Sequence, residues 1–390
     1  MSALPKYPIA VILLIWLAGL GAAAQFGKLA VAFGALRQIY DVSEVWLGFL
    51  MSSVGVVGLV FGVVGGVIVD RIGLRKMLLL GLLVSGFISL LQSLMPVYPV
   101  LLASRFVEGI AHLVIVVAAP VLVAQYASDR LRPAFMTLWG AFFGVSYAVI
   151  AVIAGPVIAR FGVGGLIFGH GIYMLILALI LLAVLPTAPR QRDQPPRLSI
   201  KDWVTVHVQI YRSPWLSAAA LGFVWYTMMY IALLAYLPDF MTPKEAAVAS
   251  GLMPLLSIVV SLTLGVWMLS RMGGVRVVIW GFALMGVAGF LVLVAPASLF
   301  WAALVITGIS GIIPSGSFSS LSELNTSETD RAYAMGAMAQ MGNVGTTCGA
   351  PLLAALLVTR NPTAFAIFIA LCSAIGICVV AWLRIRRSRS

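Results

Sequence analysis

Apolar runs of about 20 residues, the length at which a helix crosses roughly 30 Å of hydrocarbon, recur from Pro8 to Arg384 of this 390-residue chain. Nothing else in the sequence limits the fold as strongly. Inside a bilayer every backbone N–H and C=O must be paired within the protein, so such runs resolve into helices and not into open sheets. With 62% hydrophobic and 9% charged residues and a mean hydropathy of +1.10, the chain lies far from a soluble domain. The first run follows a single base, Lys6, and continues without a small-residue cleavage site, so a retained helix is expected. Cys348, Cys372 and Cys378 sit in apolar runs as small hydrophobes. The net charge of +12 is scattered over short loops and forms no stripe, which argues against a nucleic-acid partner.

Cutting at charges, Pro and Gly gives twelve spans: 8 to 36, 44 to 69, 76 to 95, 98 to 126, 134 to 159, 164 to 186, 215 to 240, 246 to 269, 275 to 296, 298 to 324, 332 to 358 and 362 to 384. With the N-terminus inside, eighteen of the 24 Lys and Arg fall on the cytoplasmic side and four, Arg37, Arg160, Lys244 and Arg360, on the other. The positive-inside rule then predicts two cytoplasmic termini, and the compact chain suggests a bacterial inner membrane. Lys28 and Arg105 remain within the membrane.

The longest polar interval divides the spans six and six. It predicts an N-terminal bundle (1–186), a cytoplasmic linker (187–213) containing Pro189, Pro195 and Pro196, and a C-terminal bundle (214–390). In the linker, Ser199 and Asp202 hold capping-box positions, and Ile200, Trp203, His207, Ile210 and Tyr211 share one helical face, as in an interfacial helix. Alternating Val204, Val206 and Val208 leave a strand open. The halves also echo one another: GVWMLSRMGGVR at 265–276 repeats GGVIVDRIGLRK at 65–76, with Ser270 in place of Asp70, and Asp330-Arg331 repeats Asp129-Arg130. A duplicated six-helix unit around a cavity is a common plan among secondary transporters.

The loop after the second span carries Gly66, Asp70, Arg71, Gly73, Arg75 and Lys76, and the fourth span carries Arg105 and Gly109. In these motifs, in the twelve spans and in the repeat, nearly the whole chain resembles the major facilitator superfamily. The resemblance implies an all-α integral membrane protein, with twelve transmembrane helices in two pseudo-symmetric six-helix bundles that rock about a central site, working as a monomer without a cofactor. It further implies that Gly66, Asp70, Arg71, Gly73, Arg75 and Lys76 form a conformational latch. Arg130 would help hold the Asp70 charge, which is expected to face Ala332 at the start of the eleventh span. Gly144 and Gly155-Pro156 are similar to an antiporter motif, but VIAR follows where glycines are usual, which weakens a reading as a drug–proton antiporter.

A charge in mid-membrane costs about 2.5 to 3.5 kcal/mol on insertion scales, so such residues tend to have a function. Lys28 lies on one face of the first span with Gly21, Gln25, Ala32 and Ala35. It reads as a substrate or coupling residue, with a structural ion pair or a snorkelling lysine as alternatives. Arg105, Glu108, Gly109 and His112 share a face of the fourth span at matching depth. Two bases against one acid suit an anionic solute. Glu108 and His112 are candidates for proton coupling, unless Glu108 only neutralises Arg105 and His112 is an interior hydrogen-bonding residue.

The C-terminal half offers Tyr226 and Tyr230 beside Trp225, and Gln340 and Asn343 on one stripe of the eleventh span, either lining the site or packing between helices. The Gly, Pro and Ser in residues 308–320 predict a bent tenth helix. No HExxH motif occurs, and His112, His170 and His207 have no companion Ser or Cys motif, so no enzyme is expected. Together these features predict a secondary active transporter of a small, anionic organic solute, driven by protons or by exchange, with solute and membrane lipid as its partners. The alternative is a proton-driven exporter of multiple drugs or hydrophobic compounds.

Overall fold

The computed structural model describes residues 8–42, 44–186, 200–294, 299–357 and 361–389. The first span is α1 (Ile9–Ala30) followed, after a break at Val31 and Ala32, by the short α2 (Phe33–Ile39). Then come α3 (Glu44–Ile72), α4 (Leu74–Ser93) and α5 (Tyr98–Tyr126). The fifth span starts as α6 (Arg132–Gly140) and bends by 45° into α7 (Phe142–Val184). Helix α7 also contains the sixth span, because Gly162, at φ 70° and ψ −179°, turns the chain between the two. Only glycine adopts that backbone conformation without strain.

The described part of the linker forms α8 (Ile200–Arg212), so the helical alternative is the one realised there, while Ser199 of the expected capping box lies outside the described residues. The C-terminal half continues with α9 (Ala218–Tyr236), α10 (Pro243–Val260), a π turn at Ser261–Gly265, α11 (Val266–Leu269), α12 (Gly274–Gly289) and α13 (Leu291–Val294). The tenth span, where a bend is expected, is interrupted at Gly311, which separates α14 (Leu299–Ser310) from α15 (Ile312–Leu324) but keeps helical dihedrals of φ −62° and ψ −17°. Helices α16 (Glu328–Leu356) and α17 (Thr363–Arg389) complete the chain. Among the described residues nine helices are long and apolar enough to span a membrane, and the bent α6–α7 pair makes a tenth. Helices α3 and α16, at 29 residues each, bring the spans to twelve; at 1.5 Å per residue each is about 43 Å long.

Local chemistry sets the helix ends. Thr242 and Glu245 form a reciprocal capping box at the start of α10. Ser327 accepts from the Asp330 amide at the start of α16, and Gly73, at φ 90°, makes the tight turn from α3 to α4. Outward faces carry lipid-facing Phe87, Val152, Leu179, Val287 and Trp301, all exposed. Inward faces are small: α1 is held against the fifth and sixth spans by Trp16 to the Leu138 carbonyl, Ser146 to Leu20 and Tyr173 to Leu17.

The two halves meet mainly toward the end that carries both chain termini. There one buried apolar cluster runs across the seam, joining Met136 and Trp139 to Phe318, Leu321, Ala332, Met335 and Met338. Nearer the middle Gln340 packs on Gly62, Asn343 on Gly58, and Ile258 on Gly144. Toward the opposite end the cores are separate: Leu29, Leu36, Leu50, Leu101 and Ile167 belong to the N-terminal half, and Met229, Leu233, Leu237 and Met253 to the other. The terminal end is therefore the closed one in this arrangement.

Candidate functional site

The mid-membrane charges predicted on α1 and α5 meet inside the N-terminal half. Lys28, Arg105 and Glu108 are 1%, 0% and 0% exposed, so this cluster faces the interior of the bundle, where a sealed charge persists only if it is paired and hydrogen-bonded. Lys28 Nζ lies 2.5 Å from Glu108 Oε1 and donates also to Gln92 Oε1 at 3.0 Å and Ser89 Oγ at 2.8 Å. Three donors thus find three acceptors, which is the full capacity of an ammonium. The other carboxylate oxygen, Oε2, takes Arg105 Nη1 at 2.5 Å and Gln92 Nε2 at 2.8 Å.

The network extends over α1, α4, α5 and α7. Gln25 Nε2 donates to Ser85 Oγ at 2.5 Å, and Gln92 Nε2 also reaches Ser104 Oγ at 3.0 Å. His170 Nε2 lies 2.9 Å from the Gly21 carbonyl, which can only accept. Nε2 therefore carries the proton, and Nδ1 accepts from Ser89 Oγ at 2.8 Å. A line of hydrogen bonds runs from Lys28 through Ser89 and His170 to the α1 backbone. Arg105 further donates Nη1 to the Gln25 carbonyl and Nε to the Leu50 carbonyl, tying α5 to α1 and α3.

Two members of this network are left over: Arg105 Nη2 and Gln25 Oε1 are buried without a hydrogen-bond partner. With both imidazoles neutral, the described cluster holds two cations against one carboxylate. Beside it His112 hydrogen-bonds the Ala22 carbonyl through Nδ1 at 3.0 Å, and its ring meets Phe26 at 5.0 Å. Phe26 continues to Phe143 at 5.6 Å and Phe143 stacks on Tyr147 at 5.7 Å, so an aromatic wall adjoins the charges.

The residues expected in the C-terminal half do not join this cluster. Tyr226 and Tyr230 stack on each other at 5.3 Å on α9. Gln340 and Asn343 lie in the seam: Gln340 Nε2 donates to the Leu59 carbonyl on α3 at 2.8 Å, and Asn343 Nδ2 bonds back to Ala339. Tyr211 of the linker helix donates to Gln340 Oε1 at 2.7 Å, and Ile210 is 1% exposed. Helix α8 thus inserts part of its apolar face under α3 and α16, deeper than a purely interfacial helix.

In the expected latch, Gly66, Asp70 and Arg71 fall in the part of α3 whose side chains lie outside the described residues. Arg75 bonds the Leu185 and Leu182 carbonyls at the end of α7, while Lys76 and Arg130 are exposed. The neighbour of Arg130, Arg132, pairs with Asp129 at 2.8 Å and with the Ala124 carbonyl. Sequence reasoning passed over Arg132, Ser89, Gln92 and His170. The signal for the α4 residues was the spacing of Ser85, Ser89 and Gln92 at i, i+4 and i+7; His170 has no such pattern around it.

A family model described as Major Facilitator Superfamily matches residues 15–243 and 215–390. The 4-hydroxybenzoate transporter PcaK of Pseudomonas aeruginosa is 31% identical over 179 residues, 46% of this chain and 39% of that protein. The niacin transporter NiaP of Acinetobacter baylyi is 28% identical over 153 residues, 38% of this chain and 35% of that protein. The matched segments therefore span well under half the length of these curated relatives. Among solved structures, the human organic anion transporter MFSD10 (TETRAN) has a TM-score of 0.78 at 15% identity, covering 98% of this chain and 100% of that chain. The E. coli fucose:proton symporter FucP has 0.76 at 16%, covering 97% and 99%. At such identities the likeness is one of fold.

Proposed function

The chain belongs to the major facilitator superfamily of membrane transporters, and from that membership we propose that it carries a small aromatic carboxylate across the membrane by alternating access. The observation that carries this reading is the excess of buried positive charge, Lys28 and Arg105 against Glu108, with Arg105 Nη2 unpaired beside the wall of Phe26, Phe143 and Tyr147. A carboxylate supplies the missing negative charge, and a ring stacks on the aromatic side chains. Support comes from the relatives, since 4-hydroxybenzoate and niacin are both carboxylates on aromatic rings. Both termini are assigned to the cytoplasm on the distribution of Lys and Arg, and the membrane is proposed as a bacterial inner membrane on the compact length of the chain and its short loops.

Glu108 is the proposed coupling carboxylate. Protonating it raises the cluster from one net positive charge to two, which favours anion binding, and the bound anion in turn favours the proton by linkage. The expected coupling is therefore proton–anion symport. The test is uptake into proteoliposomes of labelled 4-hydroxybenzoate and niacin, against their uncharged amides and a cationic dye, with and without an inward proton gradient. Accumulation of the acids alone, driven by the gradient, is expected. Transport of the dye with no response to the acids would overturn the proposal in favour of a drug exporter.

A further inference from the structure

Four tryptophans mark the terminus-bearing end of the C-terminal half: Trp215, Trp267, Trp280 and Trp382 are all about half exposed, as in the aromatic belt at a membrane–water boundary. Around them lie arginines in two different situations. Some are already engaged: Arg387 donates to the Pro214 carbonyl and lies over the Trp215 ring, Arg386 reaches the Arg212 carbonyl and lies over Trp382, and Arg271 lies over Trp267. Arg276, at the start of α12, and Arg384, near the end of α17, are not. Both are exposed, and neither has a hydrogen bond, ion pair or ring partner among the described residues.

Helices α12 and α17 pack side by side, and between them Arg276, Ile279, Trp280 and Arg384 line an open groove of about 310 Å³. Glu323, the carboxylate of α15, is committed elsewhere, accepting from the Gly274 amide at 2.8 Å and from Ser319 at 2.7 Å. Arg384 is instead close enough to Arg387 for the two to repel. The groove thus has two guanidiniums at its polar rim with no counter-charge among the described residues, and an indole and an isoleucine on the side that continues into the lipid-facing surface.

We propose that this groove holds the headgroup of an anionic phospholipid, with the phosphate between Arg276 and Arg384 and the glycerol and upper acyl chain against Trp280 and Ile279. Guanidinium forks match phosphate oxygens in charge and geometry, and basic pockets at the cytoplasmic boundary are suited to such headgroups. An organic anion in transit is a poorer match, because the groove opens outward on the C-terminal half and is remote from the charges of α1 and α5. The proposal needs only membrane residence and stands whether or not the transported solute is a carboxylate.

The test is native mass spectrometry and thermal shift on the full-length protein, with micelles doped with phosphatidylglycerol or phosphatidylcholine, or with inorganic phosphate alone. Each basic residue near an anionic surface is worth roughly fivefold in affinity, so Arg276→Gln with Arg384→Gln should reduce retention of phosphatidylglycerol roughly thirtyfold. Phosphatidylcholine retention should be unchanged, and its preservation shows that the variant is folded. Arg276→Lys with Arg384→Lys should recover most of the binding. Equal preference for phosphatidylglycerol in wild type and the Gln variant would overturn the proposal. So would an equal shift from inorganic phosphate alone, which would mark a free-anion site.

Discussion

Glu108→Gln is expected to cost more stability than Lys28→Met, although both break the same 2.5 Å contact. Glu108 is the one acid between two cations, and all three side chains are 0–1% exposed. Replacing it with a neutral amide leaves Lys28 and Arg105 uncompensated in a sealed interior, a change that costs about 3–5 kcal/mol. Lys28→Met removes donors from Ser89, Gln92 and Glu108. Yet it brings the cluster to neutrality, because Glu108 keeps Arg105 and the Gln92 amide; about 1–3 kcal/mol is expected for the unmade bonds. The gap of about 2 kcal/mol is a factor of about 30 in the folded-to-unfolded ratio. Reversible unfolding in mixed detergent micelles, followed by tryptophan fluorescence, measures it. If Lys28→Met proves as destabilising as Glu108→Gln, the cluster has no excess positive charge and the electrostatic basis for anion transport fails.

Three further outcomes follow from the seam and the helix ends. Tyr211→Phe deletes the hydroxyl that donates to Gln340. It should shift the closed terminal end toward opening by about 1 kcal/mol, read as faster maleimide labelling of a cysteine placed at Ala332. Gly62→Val puts a Cβ 2.7 Å from the Gln340 Cα; overpacking of about 1–3 kcal/mol should drive α3 from α16, and spin-label distances across the seam at that end should lengthen. Thr242→Ala removes the capping box of α10 and should cost about 1 kcal/mol, visible as faster amide exchange confined to the first turn of that helix.

Run length and loop charge were enough to lay out twelve spans, since hydrocarbon forces each long apolar run into a helix whatever its neighbours do. The Gly, Pro and Ser of residues 308–320 were readable as an irregularity in the tenth span, and a lysine and an arginine in mid-membrane announced a buried polar centre. The partners of that centre were another matter. Lys28 meets Ser89, Gln92 and His170 only because α4 and α7 are rotated to face α1, and that rotation is set by packing of small residues such as Gly21 and Gly86. Whether Lys28 faced the space between the halves or the interior of one bundle depended on the same rotation, and the structure seals it inside. For Gln340 and Asn343 the helical stripe left cavity lining and packing between helices equally open, and in this closed arrangement both lie against α3 in the seam. Local rules determine helices because their hydrogen bonds close within one segment. Charge partners and seam contacts join residues as many as 281 positions apart, and they exist only once the bundles are packed and in one of their states.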